Sequence, residues 1–390
     1  MKAQIGLALA CLLGIAGSAQ SATGRKVHRI PAPAAIDAEV ARVMAKTNTQ
    51  GFALAVIDNG KVVFVKSYGL RNAKGDPLRR DTIMYGASLT KAVFAYTVMQ
   101  LVDEGRIDLD TTIDRYLPKP LPEYTEPDVE DRYARYSDLA GDERWRKLTP
   151  RILLTHSSGF ANFGFLEPDG KLKFHFNPGE RYAYSGDGLI LLQFVLERGM
   201  GLDLGKEMQT RVFDRFGMRN TSMIWRADFA ANLADGWDIN GKTEPHDERS
   251  AVRAAGSMDT TIEDFSKFAA AFARREGLSA RSRAEITRPQ LAITTRTEFP
   301  TMQAELPKAQ RRADLAAGLG LLVFNGPQGP GYEKGGHNDV TGNSWVCVER
   351  RRRCVVLLSN DVRAEAFFPG LVRFILGDIN PPYAFSKNIS

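Results

Sequence analysis

The sequence predicts an α+β fold of three layers, in which helices flank an antiparallel sheet and a mostly helical lobe is inserted. Strand-like apolar runs occur near both ends of the 390-residue chain, and neither set is large enough to form a stable sheet alone. The stretch between them has apolar residues at helical spacing. We therefore expect a sheet lobe from residues 23–85 and 250–390, a helical lobe from 86–249, and a cleft at their junction.

The composition is that of an ordinary globular protein. Apolar residues make up 43% and charged residues 25%, and the formal net charge is a mild +6. Aromatic and basic residues are not interleaved and zinc-finger spacing does not occur, so we expect no nucleic-acid partner. The five histidines are scattered without metal-ligand spacing, so we expect no metal, and nothing in the chain calls for another cofactor.

Residues 1–22 have the pattern of a secretory signal peptide. Lys2 precedes an apolar run at 5–15, and small residues follow it. The alternative is a small buried helix, and the run is too short to remain as a membrane span. Cys11 lies inside the run, which argues against lipidation. We expect an exported protein, periplasmic or secreted, without a membrane span.

The first part of the chain predicts a helix, a hairpin and a second helix. Residues 36–44 have helical periodicity, and apolar strands at 51–57 and 62–65 flank Asn59-Gly60, a strong hairpin signal. A longer apolar run then places Ser88 at the start of a helix that ends near residue 104.

The middle of the chain predicts further helices around one irregular segment. Residues 120–147 are charged, aromatic and weakly periodic, which predicts a surface insertion that could overhang a site. Residues 148–154 predict a capped helix with an early proline. Later helices are predicted over 189–197, 204–216 and 259–274.

The last part of the chain returns to strands. They are predicted at 319–324, 344–348 and 353–358, followed by a helix over 364–376. If Arg350-Arg351 is a two-residue turn, Cys347 and Cys354 are directly opposed on neighbouring strands. Because export implies an oxidising compartment, we expect a disulfide between them.

Ser88 and Lys91 are the first candidate catalytic residues. Three positions apart on a helix, they lie side by side on one face. A serine becomes a nucleophile when a base takes its proton, and a lysine is such a base when its own proton is held loosely. The alternative is a helix-capping serine followed by a solvated lysine. Other stretches of the chain must decide between the two.

Two further stretches are candidates for the cleft. Tyr184-Ser185-Gly186 precedes a buried helix. Its tyrosine is either a functional residue of the cleft or an aromatic side chain that only packs beside the start of the helix. Lys334-Gly335-Gly336-His337 opens a strand and places two glycines where backbone can approach a substrate closely. His156 also invites a catalytic interpretation, but its position at a helix end favours hydrogen bonds to neighbouring backbone.

Together these stretches resemble the serine β-lactamase and penicillin-binding protein superfamily, specifically its class C branch, which also holds D-amino-acid peptidases and esterases. The resemblance covers much of the mature chain and implies a β-lactamase/transpeptidase-like fold. Its landmarks, in chain order, are Asn59-Gly60 with Tyr68-Gly69, Ser88-Leu89-Thr90-Lys91, Glu104-Gly105-Arg106-Ile107-Asp108-Leu109-Asp110, Leu153-Leu154-Thr155-His156-Ser157-Ser158-Gly159, Pro178-Gly179 with Tyr182 and Tyr184-Ser185, Phe216-Gly217-Met218 with Thr221, Lys334-Gly335-Gly336, and Leu358-Ser359-Asn360.

The resemblance implies a role for each candidate. Ser88 would be the nucleophile that forms an acyl-enzyme, and Lys91 and Tyr184 would share the proton work on it. Lys334 would hold the tyrosine's proton loosely or meet a substrate carboxylate. The backbone N–H groups of Ser88 and His337 would form the oxyanion hole. Two lysines near a phenol should favour its ionised form and each other's neutral form.

Two departures from the family pattern bear on substrate. Gly186 stands where β-lactamases and transpeptidases usually carry asparagine, and Lys-Thr-Gly has become Lys334-Gly335-Gly336, followed by His337. Lys334 and His337 therefore compete for one role. The departures favour a small ester substrate over a β-lactam or a D-aminoacyl amide. The alternatives are a true β-lactamase, a D-Ala-D-Ala carboxypeptidase or D-aminopeptidase, and a peptidoglycan-binding relative without catalysis.

A different hydrolase class does not fit. The α/β-hydrolases carry their serine in a Gly-x-Ser-x-Gly turn after a strand, whereas Gly86-x-Ser88-x-Thr90 fails at its last position and no run of parallel strands is predicted. A non-catalytic relative would be expected to have lost Ser88, Lys91 or Tyr184, and all three are present.

Overall fold

The structure, a computed structural model, describes residues 28–387. The predicted signal peptide, residues 1–22, lies outside the described residues. The strands are β1 Gly51–Asp58, β2 Lys61–Gly69, β3 Met84–Tyr85, β4 Gly236–Trp237, β5 Thr243–Glu244, β6 Asp259–Thr260, β7 Leu291–Ala292, β8 Leu315–Ala317, β9 Leu322–Gly326, β10 Gly329–Asn338, β11 Thr341–Val348 and β12 Arg353–Ser359. The α-helices are α1 Pro33–Thr47, α2 Leu89–Asp103, α3 Pro127–Arg132, α4 Pro150–Leu154, α5 Gly186–Phe194, α6 Leu204–Met208, α7 Ile262–Ala273, α8 Ala280–Ile286, α9 Phe368–Leu376 and α10 Tyr383–Ser386.

Shorter helical turns complete the description. Two π-helical segments, Val195–Gly199 and Gln209–Asp214, continue α5 and α6. The 3₁₀ turns are Ile113–Arg115, Leu121–Glu123, Tyr136–Leu139, Glu143–Lys147, Gly164–Leu166, Ala227–Asn232, Lys308–Gln310, Arg350–Arg352 and Val362–Phe367.

One eight-stranded sheet joins the two ends of the chain. Its order is β2-β1-β12-β11-β10-β9-β8-β7, and every neighbouring pair is antiparallel. The N-terminal hairpin therefore pairs with strands that follow it by about 300 residues, as Ala55 opposite Val356 illustrates. The predicted α+β class with a large antiparallel sheet is confirmed.

Side chains that alternate between the two faces of the sheet divide the core into two. On β1, Phe52, Leu54 and Val56 face a core with α1 and α9, whereas Ala53 and Ala55 face the core that contains α2 and α7. Because successive side chains of a strand point to opposite faces, both faces of a fully buried strand need apolar residues. The sheet is therefore the middle of three layers.

The segment 120–147 differs from the surface insertion that its sequence predicts. Tyr124, Tyr133 and Tyr136 pack around Phe194 of α5, with ring centroids 4.8, 5.1 and 4.8 Å from it. These aromatic side chains are thus part of the core although they do not recur at helical spacing. A core needs buried apolar surface, and residues without regular spacing in the sequence can supply it. The prediction of an exposed segment was wrong for these residues.

Two details near the C-terminus matter for the site. Strand β10 begins at Gly329, so Lys334 lies within it and does not open it, as the sequence had suggested. The hairpin after β11 pairs Val348 with Arg353, and the sulfur atoms of Cys347 and Cys354 form a disulfide across the pair beneath it.

Among residues 28–387, no helix combines the length and apolar character that crossing a bilayer requires.

Candidate active site

Ser88 is placed at the first turn of a deeply buried helix. Helix α2 is buried along nearly its whole length, and the residue before Ser88, Ala87, has a left-handed φ of 47°. Ser88 occupies the capping position, yet its side chain caps no backbone N–H. Its Oγ lies instead 3.0 Å from Lys91 Nζ and accepts a hydrogen bond from the Tyr184 hydroxyl at 2.8 Å. The capping alternative for this serine therefore fails.

Lys91 is buried and not solvated. Its side chain lies in the core with 2% of the residue exposed, and Nζ also donates a hydrogen bond to the carbonyl oxygen of Ala255. No carboxylate of residues 28–387 forms an ion pair with it. Burial lowers the pKa of Lys91 well below its ordinary value, and the positive charge of Lys334 lowers it further. An uncharged Lys91 has a lone pair that can accept the Ser88 proton.

Two rings pack against the Tyr184 ring. The His156 ring stacks on it with centroids 4.4 Å apart and planes 24° apart, and the Phe299 ring approaches with a centroid distance of 5.1 Å. The next residue, Ser185, donates its backbone N–H to His156 Nδ1 at 3.1 Å and caps α5 with its hydroxyl. His156 thus bonds neighbouring backbone, as predicted, while its ring also orients the tyrosine.

The phenol of Tyr184 is protonated in this environment. Burial raises its pKa well above the ordinary value, and the carboxylate of Glu298 raises it further. The phenol therefore does not take the ionised form that two nearby lysines led us to expect, because burial disfavours the charged phenolate. Glu298, which no pattern in the sequence singles out, accepts a hydrogen bond from Tyr182 at 2.5 Å.

Of Lys334 and His337, the lysine faces the candidate site. They are three positions apart on β10 and so point to opposite faces of the sheet. Lys334 Nζ lies 5.0 Å from the centre of the Tyr184 ring. His337 turns away, and its Nδ1 lies 2.9 Å from Glu365 Oε2. The sequence left the two in competition because it did not show that both residues lie on one regular strand. Only on such a strand do side chains alternate between the two faces of the sheet.

Gly336 brings the strand backbone against the nucleophile. A Cβ atom at this position would lie 2.6 Å from the Gly86 carbonyl oxygen and 3.2 Å from the Ser88 nitrogen, so a side chain does not fit. Strand β9 pairs with β10 only as far as Glu333, which leaves the following backbone unpaired on that side. The strand therefore passes beside the Ser88 N–H with its edge open, the arrangement an oxyanion hole needs.

Gly186 is crowded by a residue that the sequence analysis did not identify. A Cβ atom there would lie 2.4 Å from Phe163 Cε1 and 3.2 Å from Asn162 Oδ1. The Asn162 side chain already accepts the Gly186 N–H at 3.0 Å. The absence of an asparagine at 186 is therefore matched by a phenylalanine ring that occupies its space. Only proximity in the fold could connect these two residues.

These contacts allow acyl transfer. Tyr184 donates to Ser88 Oγ, and the Ser88 proton is within reach of an uncharged Lys91. The nucleophile, a base and a second proton donor thus converge on one oxygen atom, next to backbone N–H groups that can stabilise an oxyanion.

Residues 36–376 match the family described as Beta-lactamase. The chain is 28% identical over 203 residues to a lovastatin esterase of Penicillium rubens, and 26% identical over 219 residues to Esterase EstB of Burkholderia gladioli. These alignments cover 45% and 49% of this chain and 49% and 51% of the relatives. The chain thus spans about half the length of the curated relatives it matches.

Among solved structures, a class C beta-lactamase superposes with a TM-score of 0.67 at 16% identity, covering 87% of this chain and 94% of that chain. A likeness at this identity concerns the fold, and it confirms the β-lactamase/transpeptidase-like architecture.

Proposed function

The chain belongs to the beta-lactamase family, and we propose that within it this protein is a serine hydrolase that cleaves esters through an acyl-enzyme on Ser88. One observation carries the proposal: Ser88 Oγ lies 3.0 Å from the buried Lys91 Nζ and 2.8 Å from the Tyr184 hydroxyl. A serine so placed loses its proton readily, which is what a nucleophile requires.

The reaction proceeds in two halves. Ser88 gives its proton to Lys91 while Oγ bonds to the ester carbonyl carbon, and the carbonyl oxygen takes up negative charge beside the backbone of Ser88 and β10. The carbon–oxygen bond of the ester breaks, and the departing alcohol takes a proton from the Lys91–Tyr184 pair. Water then attacks the acyl carbon and gives a proton to that pair. The bond between the acyl carbon and Ser88 Oγ breaks, Oγ takes the proton back from the pair, and the carboxylic acid leaves.

The ester preference rests on the surroundings of Gly186. Phe163 fills the space into which a side chain at 186 would project, so this position presents no amide to a substrate's amide carbonyl. An ester with a good leaving group needs less help of that kind than a β-lactam or a peptide. The names of two relatives, a lovastatin esterase and Esterase EstB, agree with this preference.

Covalent labelling tests the nucleophile. We expect diethyl p-nitrophenyl phosphate to add one diethylphosphoryl group to the natural protein, to add none to Ser88→Ala, and to label the control Ser137→Ala as before. Peptide mapping should place the group on Ser88. A group found on another residue would contradict the assignment.

Turnover tests the substrate class. We expect kcat/KM for p-nitrophenyl butanoate to exceed that for a chromogenic cephalosporin, with both rates abolished in Ser88→Ala. A cephalosporin that is the better substrate would make the protein a β-lactamase. Labelling without turnover of esters, β-lactams or D-aminoacyl amides would indicate a binding relative.

We also propose that the protein is exported. The pattern in residues 1–22 is that of a signal peptide, and a disulfide such as Cys347–Cys354 persists mainly in oxidising compartments. The full-length sequence should be expressed in a bacterial host, and the protein purified from it sequenced from its N-terminus. We expect the chain to start near residue 23. An intact Met1 in the cytoplasmic fraction would refute export.

A further inference from the structure

A cavity of about 590 Å³ lies close to the backbone that precedes the nucleophile. Its wall includes Ala255, whose carbonyl oxygen accepts the Lys91 hydrogen bond, and Gly256, whose Cβ position lies 3.6 Å from the Ala87 backbone. The cavity therefore begins within one residue of Ser88. An acyl group bonded to Ser88 has room to extend into it.

Asp187 supplies a buried carboxyl group to this cavity. It lies in the first turn of α5, three positions after Tyr184, and is 5% exposed. One oxygen, Oδ2, accepts the Gly164 N–H at 2.6 Å, and no cation of residues 28–387 forms an ion pair with the group. Burial raises the pKa of Asp187 to about 6. The hydrogen bond from the Gly164 N–H and the positive charge of Arg253 lower this pKa, but by less than burial raises it. Near neutral pH the cavity thus contains a negative charge without a paired cation.

The two arginines at the cavity are engaged elsewhere. Arg249 bonds to the buried Asp259 at 3.2 Å and lies 3.5 Å over the Tyr85 ring. Arg253 donates to the backbone carbonyl oxygens of Asp131 and Arg132, each at 3.1 Å. Their cationic groups are therefore held in place by these contacts, and neither forms an ion pair with the Asp187 carboxylate.

Two aromatic side chains also line the cavity, on either side of the Gly164 N–H that bonds to Asp187. Phe163 and Phe165 stack with centroids 5.1 Å apart and planes 14° apart, and Phe165 is 74% exposed. Aromatic faces attract apolar groups and also cations. Aromatic rings beside a buried carboxylate suit a ligand that is part apolar and part cationic.

We propose that this cavity binds the acyl portion of the substrate and selects acyl groups that carry an aliphatic ammonium, which pairs with Asp187. The inference rests on the proposed ester hydrolysis at Ser88 and names the class of ester. The apolar part of the acyl group lies against Phe163 and Phe165, and its ammonium donates to the Asp187 carboxylate. The chemistry at the ester carbon is unchanged.

A matched pair of substrates tests the proposal. The p-nitrophenyl esters of 4-(aminomethyl)phenylacetic acid and 4-ethylphenylacetic acid have nearly the same shape and differ in one positive charge. We expect kcat/KM at pH 7.5 to be at least about tenfold higher for the ammonium ester, as a charge-assisted hydrogen bond predicts. Asp187→Asn keeps an oxygen for the Gly164 N–H, and it should reduce that ratio about tenfold.

Asp169→Asn is the control, because Asp169 is an exposed carboxylate of the neighbouring loop that pairs with Lys173. It should leave the ratio unchanged. A ratio near one in the natural protein, or one that Asp187→Asn does not alter, would overturn the inference while Ser88-dependent turnover of the neutral ester still supports ester hydrolysis. If neither ester is turned over faster than by Ser88→Ala, the proposed function itself fails.

Inhibition gives a test that needs no folded variant. Benzylammonium should compete with the neutral ester in the natural protein at about tenfold lower concentration than benzyl alcohol does. Equal inhibition by the two compounds would contradict a role for the ammonium.

Discussion

Placing an asparagine at Gly186 restores the usual family residue but not its setting. The added Cβ atom lies 2.4 Å from Phe163 Cε1 and 2.5 Å from its Cζ, so the ring must move. Overpacking of this kind costs ~1–3 kcal/mol. The obstructing atoms are the far end of a half-buried ring and not backbone, so we expect a loss of about 1 kcal/mol in the free energy of unfolding.

Removing the ring should make the same asparagine useful. In Gly186→Asn/Phe163→Ala the amide has space, so the two stability losses should not add, with a coupling of about 1 kcal/mol. One new hydrogen bond to a substrate amide carbonyl contributes ~0.5–1.5 kcal/mol, which corresponds to up to about tenfold in kcat/KM. We expect this gain for a cephalosporin and not for a p-nitrophenyl ester.

The assay compares the natural protein, both single variants and the double variant by urea unfolding and by kcat/KM on the two substrates. Phe163→Ala alone separates the loss of the ring from the gain of the amide. If Gly186→Asn alone were as stable as the natural protein and gained as much cephalosporin activity as the double variant, the steric argument would be refuted.

The remaining predictions concern the proton-handling pair, the strand approach and the disulfide. Lys91→Met should lower kcat/KM by about 10²–10⁴, the usual contribution of a positioned base, yet raise the melting temperature. Burial holds the pKa of Lys91 well below that of a free lysine, ~10.4, so between the two pKa values the unfolded chain binds a proton that the folded protein does not. The stability cost of Lys91 therefore falls as the pH rises toward ~10.4, and an unchanged melting temperature at pH 7 would contradict this. Tyr184→Phe should cost a similar factor, and the double variant little more than either, whereas losses that multiply would argue against a single unit. Gly336→Ala should reduce turnover by at least tenfold, because its methyl group meets backbone at 2.6 Å, and a fully active variant would exclude the close approach. The unreduced, denatured protein should contain no free thiol at Cys347 and Cys354, and two titratable thiols would refute the bridge.

Much of the fold was predictable because its signals are local. The hairpin at Asn59-Gly60, the start of α2 at Ser88 and the cap of α4 at Thr149 each depend on residues a few positions apart. The sheet from both chain ends followed from a simple need, since neither set of strands is large enough alone. Aromatic residues in 120–147 were misjudged because burial by tertiary contact leaves no period in the sequence.

The sequence by itself determined which residue types meet at the site, through Ser88, Lys91, Tyr184 and Lys334 and their order along the chain. Tertiary structure alone decided their proton affinities, since the depth of burial lowers the pKa of Lys91 and raises the pKa of Tyr184. It also decided that Lys334 and not His337 faces the tyrosine, because side chains along β10 alternate between the two faces of the sheet. The physical reason is that desolvation, facing and crowding depend on neighbours that are distant in the chain, and no local pattern records them.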